Sequence, residues 1–396
     1  MATVHRQHLV DLHGAARLAV DATLGVTGVV EAMHRTIQLV SAPVGNAPDV
    51  GRTRGITGFV YRCVRGTTRL VGTGLDAALP PIATLLPEGE PSPERDAAVA
   101  ALNGVYGDHL ARTGNPLAID MSLRHRDRPL DPRRPEILDD DLRSRGPDAR
   151  LLLMVHGLCL NERHWRREGH DHGAALADEL GFVPVYLRYN SGLPIAVNGR
   201  ALAALLEELV ACWPGEVPEV AIMSHSMGGL VARSAIYHGD AARHAWPGFV
   251  RDCVFLGTPQ HGAPLERAGH WLDRAMDISP YVAPFTRLGK ARSAGITDLR
   301  HGCITRRPRE FVPLPQRVRF HAAAATLCAR RSALADRLLG DGLVPLESAL
   351  GRHADPSRTL AIPRSRQWIG YGMGHLDLLS RPEVYAQLRH WLARSP

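Results

Sequence analysis

The chain has 396 residues, of which 45% are hydrophobic, 5% aromatic and 22% charged. That is enough to bury a large core, and by length it allows two or three domains. The formal net charge is +7, yet Lys290 is the only lysine, the arginines are scattered, and no aromatic-interleaved basic stripe occurs. This composition reads as a G+C-rich coding bias and argues against nucleic-acid binding.

The first 115 residues read as a helical N-terminal region. Leu9, Leu12, Ala16, Ala19 and Val20 fall at helical spacing, and Val26, Val29, Val30, Met33, Ile37 and Val40 do so again. A third helical run covers about 56–79 and stops at Pro80-Pro81. A fourth opens at Pro93 and runs to about 111. The region carries no catalytic constellation. Three roles are open to it: a helical cap on the next domain, a partner or oligomer interface, or a segment meeting lipid or another hydrophobic surface.

Residues 116–396 read as one domain of alternating strands and helices. Strands are expected at 117–124, 136–138, 151–155, 183–189, 220–223, 249–256, 317–327 and 367–371. Helices are expected at 173–180, 199–213 and 382–392. Strands alternating with helices of this length predict a doubly wound, mostly parallel sheet. Residues 262–310 are too many for a simple connection and read as a lid-like helical insertion. Its Trp271, Met276, Ile278, Tyr281, Val282 and Phe285 would supply an apolar wall.

The most informative stretch is 219–233. Val220 to Met223 form a short apolar strand, Ser226-Met-Gly-Gly makes a tight turn, and Leu230, Val231, Ser234 and Ala235 continue at helical spacing. A serine at the apex of a strand–turn–helix is a nucleophile elbow, Gly-x-Ser-x-Gly in its usual form, with Ser224 in place of the first glycine. Ser226 is therefore the candidate nucleophile. A serine hydroxyl needs a base, and the base needs a carboxylate to fix its tautomer. The chain supplies both downstream: Asp341 between two glycines, and His375 in a glycine-rich loop after the last strand. Asp336, Asp252 and Glu347 are the other acids considered. The strand 151–155 ends in His156-Gly157, so the backbone N–H groups of Leu158 and Met227 are the candidate oxyanion donors. The His156 side chain reads as a loop brace.

His156-Gly157, residues 224–233, Gly257-Thr-Pro-Gln-His-Gly-Ala263, Gly340-Asp-Gly-Leu-Val-Pro345 and Gly374-His-Leu-Asp377 resemble the signature segments of α/β-hydrolase-fold lipases and esterases. They are most similar to the branch with bacterial triacylglycerol lipases and GPI-inositol-deacylase-like proteins. The resemblance spans about 117–396. It implies an α/β-hydrolase fold and a carboxylic-ester hydrolase with no organic cofactor, acting on a small-molecule or lipid ester. An acyltransferase or amide-directed hydrolase with the same triad is the alternative, and a non-catalytic binding module is a second. Some lipases of this branch hold calcium through an aspartate two residues after the catalytic histidine, the position of Asp377. Arg381, a cation where an oxygen ligand would stand, argues against a metal here.

The six cysteines are widely spread and form no zinc or disulfide pattern. Cys212 and Cys253 read as core residues, and Cys159 as a neighbour of substrate. Asp11 and His13 interrupt any signal-peptide core, and no apolar run reaches the roughly 18 residues of a membrane span. A cytoplasmic location is the expectation.

Overall fold

The computed structural model describes residues 6–40, 55–85, 92–134, 150–213, 219–263, 293–307, 310–329 and 340–393. It divides into two compact units, residues 1–92 with 110–118, and residues 93–109 with 119–396.

The first unit is built on α1 (Arg6–Val40) and α2 (Gly55–Thr84). The two runs expected between Leu9 and Val40 are one continuous helix, because the one glycine between them, Gly25, is tolerated at a modest propensity cost. Pro80 and Pro81 do not end α2; they sit in its last turns. The helices run antiparallel: His13 Nε2–H donates to Asp76 (2.7 Å), Arg65 pairs with Glu31, and an added Cβ at Gly72 would reach within 3.2 Å of Val20. The residues turned to this seam follow alternating steps of three and four. They are His13, Arg17, Val20, Leu24, Thr27 and Glu31 on α1, and Gly58, Tyr61, Arg65, Thr68, Gly72 and Leu75 on α2. Such spacing is a coiled-coil seam, yet this one is largely polar.

The second unit holds α3 (Pro93–Arg112) as far as His109, so the fourth predicted helix groups with the sheet rather than with the other N-terminal helices. Arg188 ties it there by bridging Asp96 and Glu162. The sheet has eight strands in the order β2-β1-β4-β3-β5-β6-β7-β8. Strands β1 (Ser122–His125) and β2 (Arg128–Leu130) are antiparallel, joined by Arg126 and Asp127 at φ 47° and 64°. The expected strand at 136–138 lies outside the described residues. The others, β3 (Arg150–Val155), β4 (Phe182–Arg188), β5 (Val220–His225), β6 (Val250–Leu256), β7 (Arg319–Thr326) and β8 (Gln367–Tyr371), are parallel.

Strand alternation sorts the core into two layers. Leu151, Leu153 and Val155 face α5 (Ile195–Ala211) and α6 (Met227–Ala241). Leu152 and Met154 face α4 (His172–Leu180) and α9 (Pro382–Leu392). Two short helices, α7 (Ala294–His301) and α8 (Leu346–Ala349), complete the described set. Residues 264–292 of the expected lid, with its apolar cluster, lie outside the described residues. The strand order reverses between β3 and β5, and in such sheets ligands bind at the carboxyl ends beside that switch point. The chain thus has the α/β-hydrolase architecture. No helix among the described residues is long and apolar enough to cross a membrane.

Several histidines are buried in this unit. Burial pulls His172 down to about 4, while its Nε2–H donates to the Leu378 carbonyl at 3.1 Å. His156 is pulled down to about 3 by burial, and His225 well below its ordinary value by the same cause. A histidine depressed in the folded state is neutral there while the unfolded chain binds a proton, so stability is full above about pH 6.5 and is lost as pH falls toward the folded values. Urea unfolding midpoints should therefore be level between pH 7 and 8 and fall by a few kcal/mol equivalent between about 6.5 and 4. A midpoint that stays constant across that window would show that these imidazoles are not buried neutral.

Candidate active site

Ser226 stands between β5 and α6 at φ 54° and ψ −127°. A non-glycine residue in this region carries strain of about 1–3 kcal/mol and persists only where its surroundings enforce it. The enforcement is packing. A Cβ on Gly228 would lie 2.4 Å from the Val155 carbonyl oxygen and 2.5 Å from that of His156, so only glycine lets α6 start this close to the end of β3. Ser226 N–H donates to Leu256 O at 2.9 Å, anchoring the turn to β6. Ser224, in the slot usually held by glycine, is fully buried and its hydroxyl donates to Val254 O at 3.0 Å. That hydroxyl is committed to the sheet, whereas Ser226 is only half-buried.

Asp341 and His375 come together from loops after β7 and β8. Leu343 N–H (2.9 Å) and Val344 N–H (2.8 Å) donate to Asp341 Oδ1, which leaves Oδ2 to accept from His375 Nδ1 at 2.6 Å. His375 N–H also donates to the Asp341 carbonyl at 3.2 Å, so backbone and side chain hold one orientation. Both residues are at most 5% exposed. With Nδ1 bonded to the carboxylate, the lone pair lies at Nε2. Asp377 braces the same turn by accepting from Gly374 N–H at 2.7 Å. Among the described residues no group of three potential metal ligands is found.

Ser226 and His375 line one small cavity with Gly157, Leu158, Leu160, His225, Pro259, Ala263, Leu299, Leu343 and Val344. Its volume is about 10 Å³, room for about one water-sized group. Among the described residues neither the Leu158 nor the Met227 N–H has a partner, while the next amide, Cys159, donates to Ser191 Oγ at 3.1 Å. His156 donates from Nδ1 to Gly157 O at 2.9 Å and stacks on Tyr189, whose hydroxyl donates to His156 O. Its side chain is the loop brace expected.

Other candidates fall elsewhere. Asp252 binds Arg319 and His321 at the amino-terminal ends of β6 and β7. Glu347 pairs with Arg352 at the surface, and Asp336 lies outside the described residues. Cys212 is exposed, not core, because it caps the end of α5. Cys159 is buried with its thiol pushed up to about 12 by desolvation, packed on α3 rather than open to substrate. Sequence reasoning missed two participants. His225, between the serines, donates from Nε2 to His375 O at 3.2 Å, and the ring centroids are 4.6 Å apart. Its place one residue before the nucleophile was the available signal. Arg233 donates to Gln260 Oε1 at 2.9 Å and so joins α6 to the 257–263 segment.

A family model described as a domain of unknown function (DUF7379) matches residues 122–288. No curated protein matches. Among solved structures, the chain is similar to the lipase BlEst2 of Bacillus licheniformis in mature form, at 19% identity and TM-score 0.42, covering 63% of this chain and 94% of that one. It is similar to lipase B of Aspergillus fumigatus at 16% identity and TM-score 0.35, covering 60% and 51%. It is also similar to MGS-MChE2, an α/β-hydrolase enzyme from the metagenome of lagoon sediments of Mar Chica, Morocco, at 16% identity and TM-score 0.30, covering 61% and 90%. At these identities and scores the fold assignment rests on the strand order and the elbow above.

The loop carrying Leu158 leans on α3. A Cβ at Gly104 would lie 2.2 Å from Cys159 Sγ and 2.9 Å from its backbone nitrogen. Gly104→Val should therefore lower unfolding free energy by about 1–3 kcal/mol through overpacking. Gly66→Val, where nothing lies within 4 Å of the added carbon, should cost less than about 1 kcal/mol. Equal thermal shifts in the two variants would show that α3 does not support this loop.

Proposed function

We propose that the protein is a serine hydrolase that cleaves carboxylic esters through an acyl-enzyme. The single observation that carries this reading is the buried 2.6 Å pair of Asp341 and His375 lining the same cavity as Ser226 on its strained turn. His375 Nε2 takes the Ser226 proton as Oγ attacks the ester carbonyl. The resulting oxyanion is stabilised by the N–H groups of Leu158 and Met227, helped by the positive end of α6. The same imidazole then returns the proton to the leaving alcohol. Water, deprotonated by His375, releases the acid and restores the serine. Asp341 stabilises the imidazolium and fixes its tautomer. The walls from Leu158, Leu160, Leu299, Leu343 and Val344 suit an apolar acyl group over a charged one. Together with the five segments that resemble lipases and esterases, they favour an apolar ester, in the triacylglycerol-lipase branch, as substrate.

Hydrolysis of p-nitrophenyl butyrate tests this. Ser226→Ala should cost on the order of 10³-fold or more in kcat, with an unchanged melting temperature. His375→Ala should cost as much, and the double variant little more, because the two groups act as a unit. Asp341→Asn should be costly but less complete. Ser224→Ala should keep most activity. Loss in Ser224→Ala with retention in Ser226→Ala would move the nucleophile, and additive losses in the double variant would remove His375 as the base.

A further inference from the structure

The α1/α2 pair is inside-out. Its seam buries the Glu31–Arg65 ion pair and the small residues Gly58 and Gly72, while large apolar side chains stand in water. Twelve of the thirteen exposed large hydrophobics among the described residues lie between Leu12 and Leu85. A helix pair normally draws its stability from the apolar faces it buries, and here little of that gain is realised within one chain.

The exposed residues are ordered. On α1, Leu12, Ala19, Val26, Val30 and Met33 follow steps of three and four, with the half-buried Ala16 and the exposed Thr23 filling the gaps. On α2, Val60, Val64, Thr67, Val71, Gly74 and Ala78 do the same. Each is a second heptad stripe, offset to one flank of the seam. Because the helices are antiparallel, like flanks meet, and the two stripes form one continuous face. Val29 and Leu70 widen it at its two outer edges, and the other flank carries Phe59 among charges of both signs, Asp21, Arg62, Arg69 and Asp76. Val26, Met33, Val60 and Val71 are at least half exposed, and no described residue covers them.

We propose that this face is the self-association surface of the protein: the α1/α2 pair of a second copy packs on it to make a four-helix bundle about a twofold axis. The chemistry selects this occupant. Alanine, valine, threonine and glycine at heptad spacing let helices approach to about 8–10 Å. A face that lies in a lipid interface is rich instead in Trp, Phe and Leu and is backed by Lys and Arg. The size also fits. The stripe is roughly 30 Å long at 1.5 Å per residue and two helices wide, roughly 600 Å² per copy, which reaches the lower end of the range of stable dimers. A twofold arrangement uses the same patch on both copies. The inference stands apart from the catalytic reading.

Light scattering on the eluted full chain tests it. The wild type at 1–100 µM should run at twice the mass of one chain. Val30→Glu with Val64→Glu, both on the stripe, should run as a monomer or raise the dissociation constant at least about 100-fold. Thr73→Glu, exposed but off the stripe, should stay dimeric. Should the glutamates unfold the helices by circular dichroism, Val30→Ser with Val64→Ser gives the milder version, with at least a tenfold weakening expected. A wild type that is monomeric throughout, or a dimer that both stripe pairs leave intact, overturns the proposal. So does a monomer that sediments with phosphatidylcholine–phosphatidylglycerol vesicles, which would give the face to lipid.

Discussion

The site depends on one close approach. The first turn of α6 comes so near the end of β3 that an added Cβ at Gly228 would overlap two carbonyl oxygens. This approach forces the chain leaving β5 to reverse within a single residue, and that residue is Ser226. Its positive φ lifts the hydroxyl off the sheet, and Ser226 lines the cavity at the start of α6. Gly157, on the other side, lies with its would-be Cβ 3.0 Å from Ser226 Cβ. Small residues on two elements thus hold a strained third residue in place, at the point where the strand order reverses.

Electrostatics follow from the same packing. Three imidazoles, those of His156, His225 and His375, sit around the elbow. Burial keeps His156 and His225 neutral, so neither places a positive charge beside His375. His225 serves through hydrogen bonding instead, gripping the carbonyl of the residue whose side chain faces the cavity. Asp341 is oriented by two backbone amides before it meets His375. A carboxylate held this way needs no reorganisation when charge develops.

Much of this was legible in the residues. The parallel strands are short apolar runs buried on both faces, and β3 and β5 show that pattern without a break. The elbow was legible because glycine and serine occur where close approach requires them. Less legible was anything decided by tertiary contact. The β1–β2 hairpin turns on Arg126 and Asp127, which lack the glycine that signals such a turn. The end of α1's first run carried no stop signal stronger than glycine, so two predicted helices were one. The placement of α3 with the sheet depends on Asp96 meeting Arg188 from 92 residues away, and no local pattern reports that. Cys212 lies in an apolar run yet at a helix end, where burial is settled by neighbours rather than by composition.

The central claim is that Ser226 is an activated nucleophile, and covalent labelling measures that without any choice of substrate. A fluorophosphonate reacts with a serine only when a base takes its proton and donors stabilise the charge on phosphorus. The intact chain should gain one phosphonyl group, peptide mapping should place it on Ser226, and His375→Ala should slow its addition by on the order of 10³-fold or more. An unlabelled wild type, or a label on any residue other than Ser226, would contradict the account.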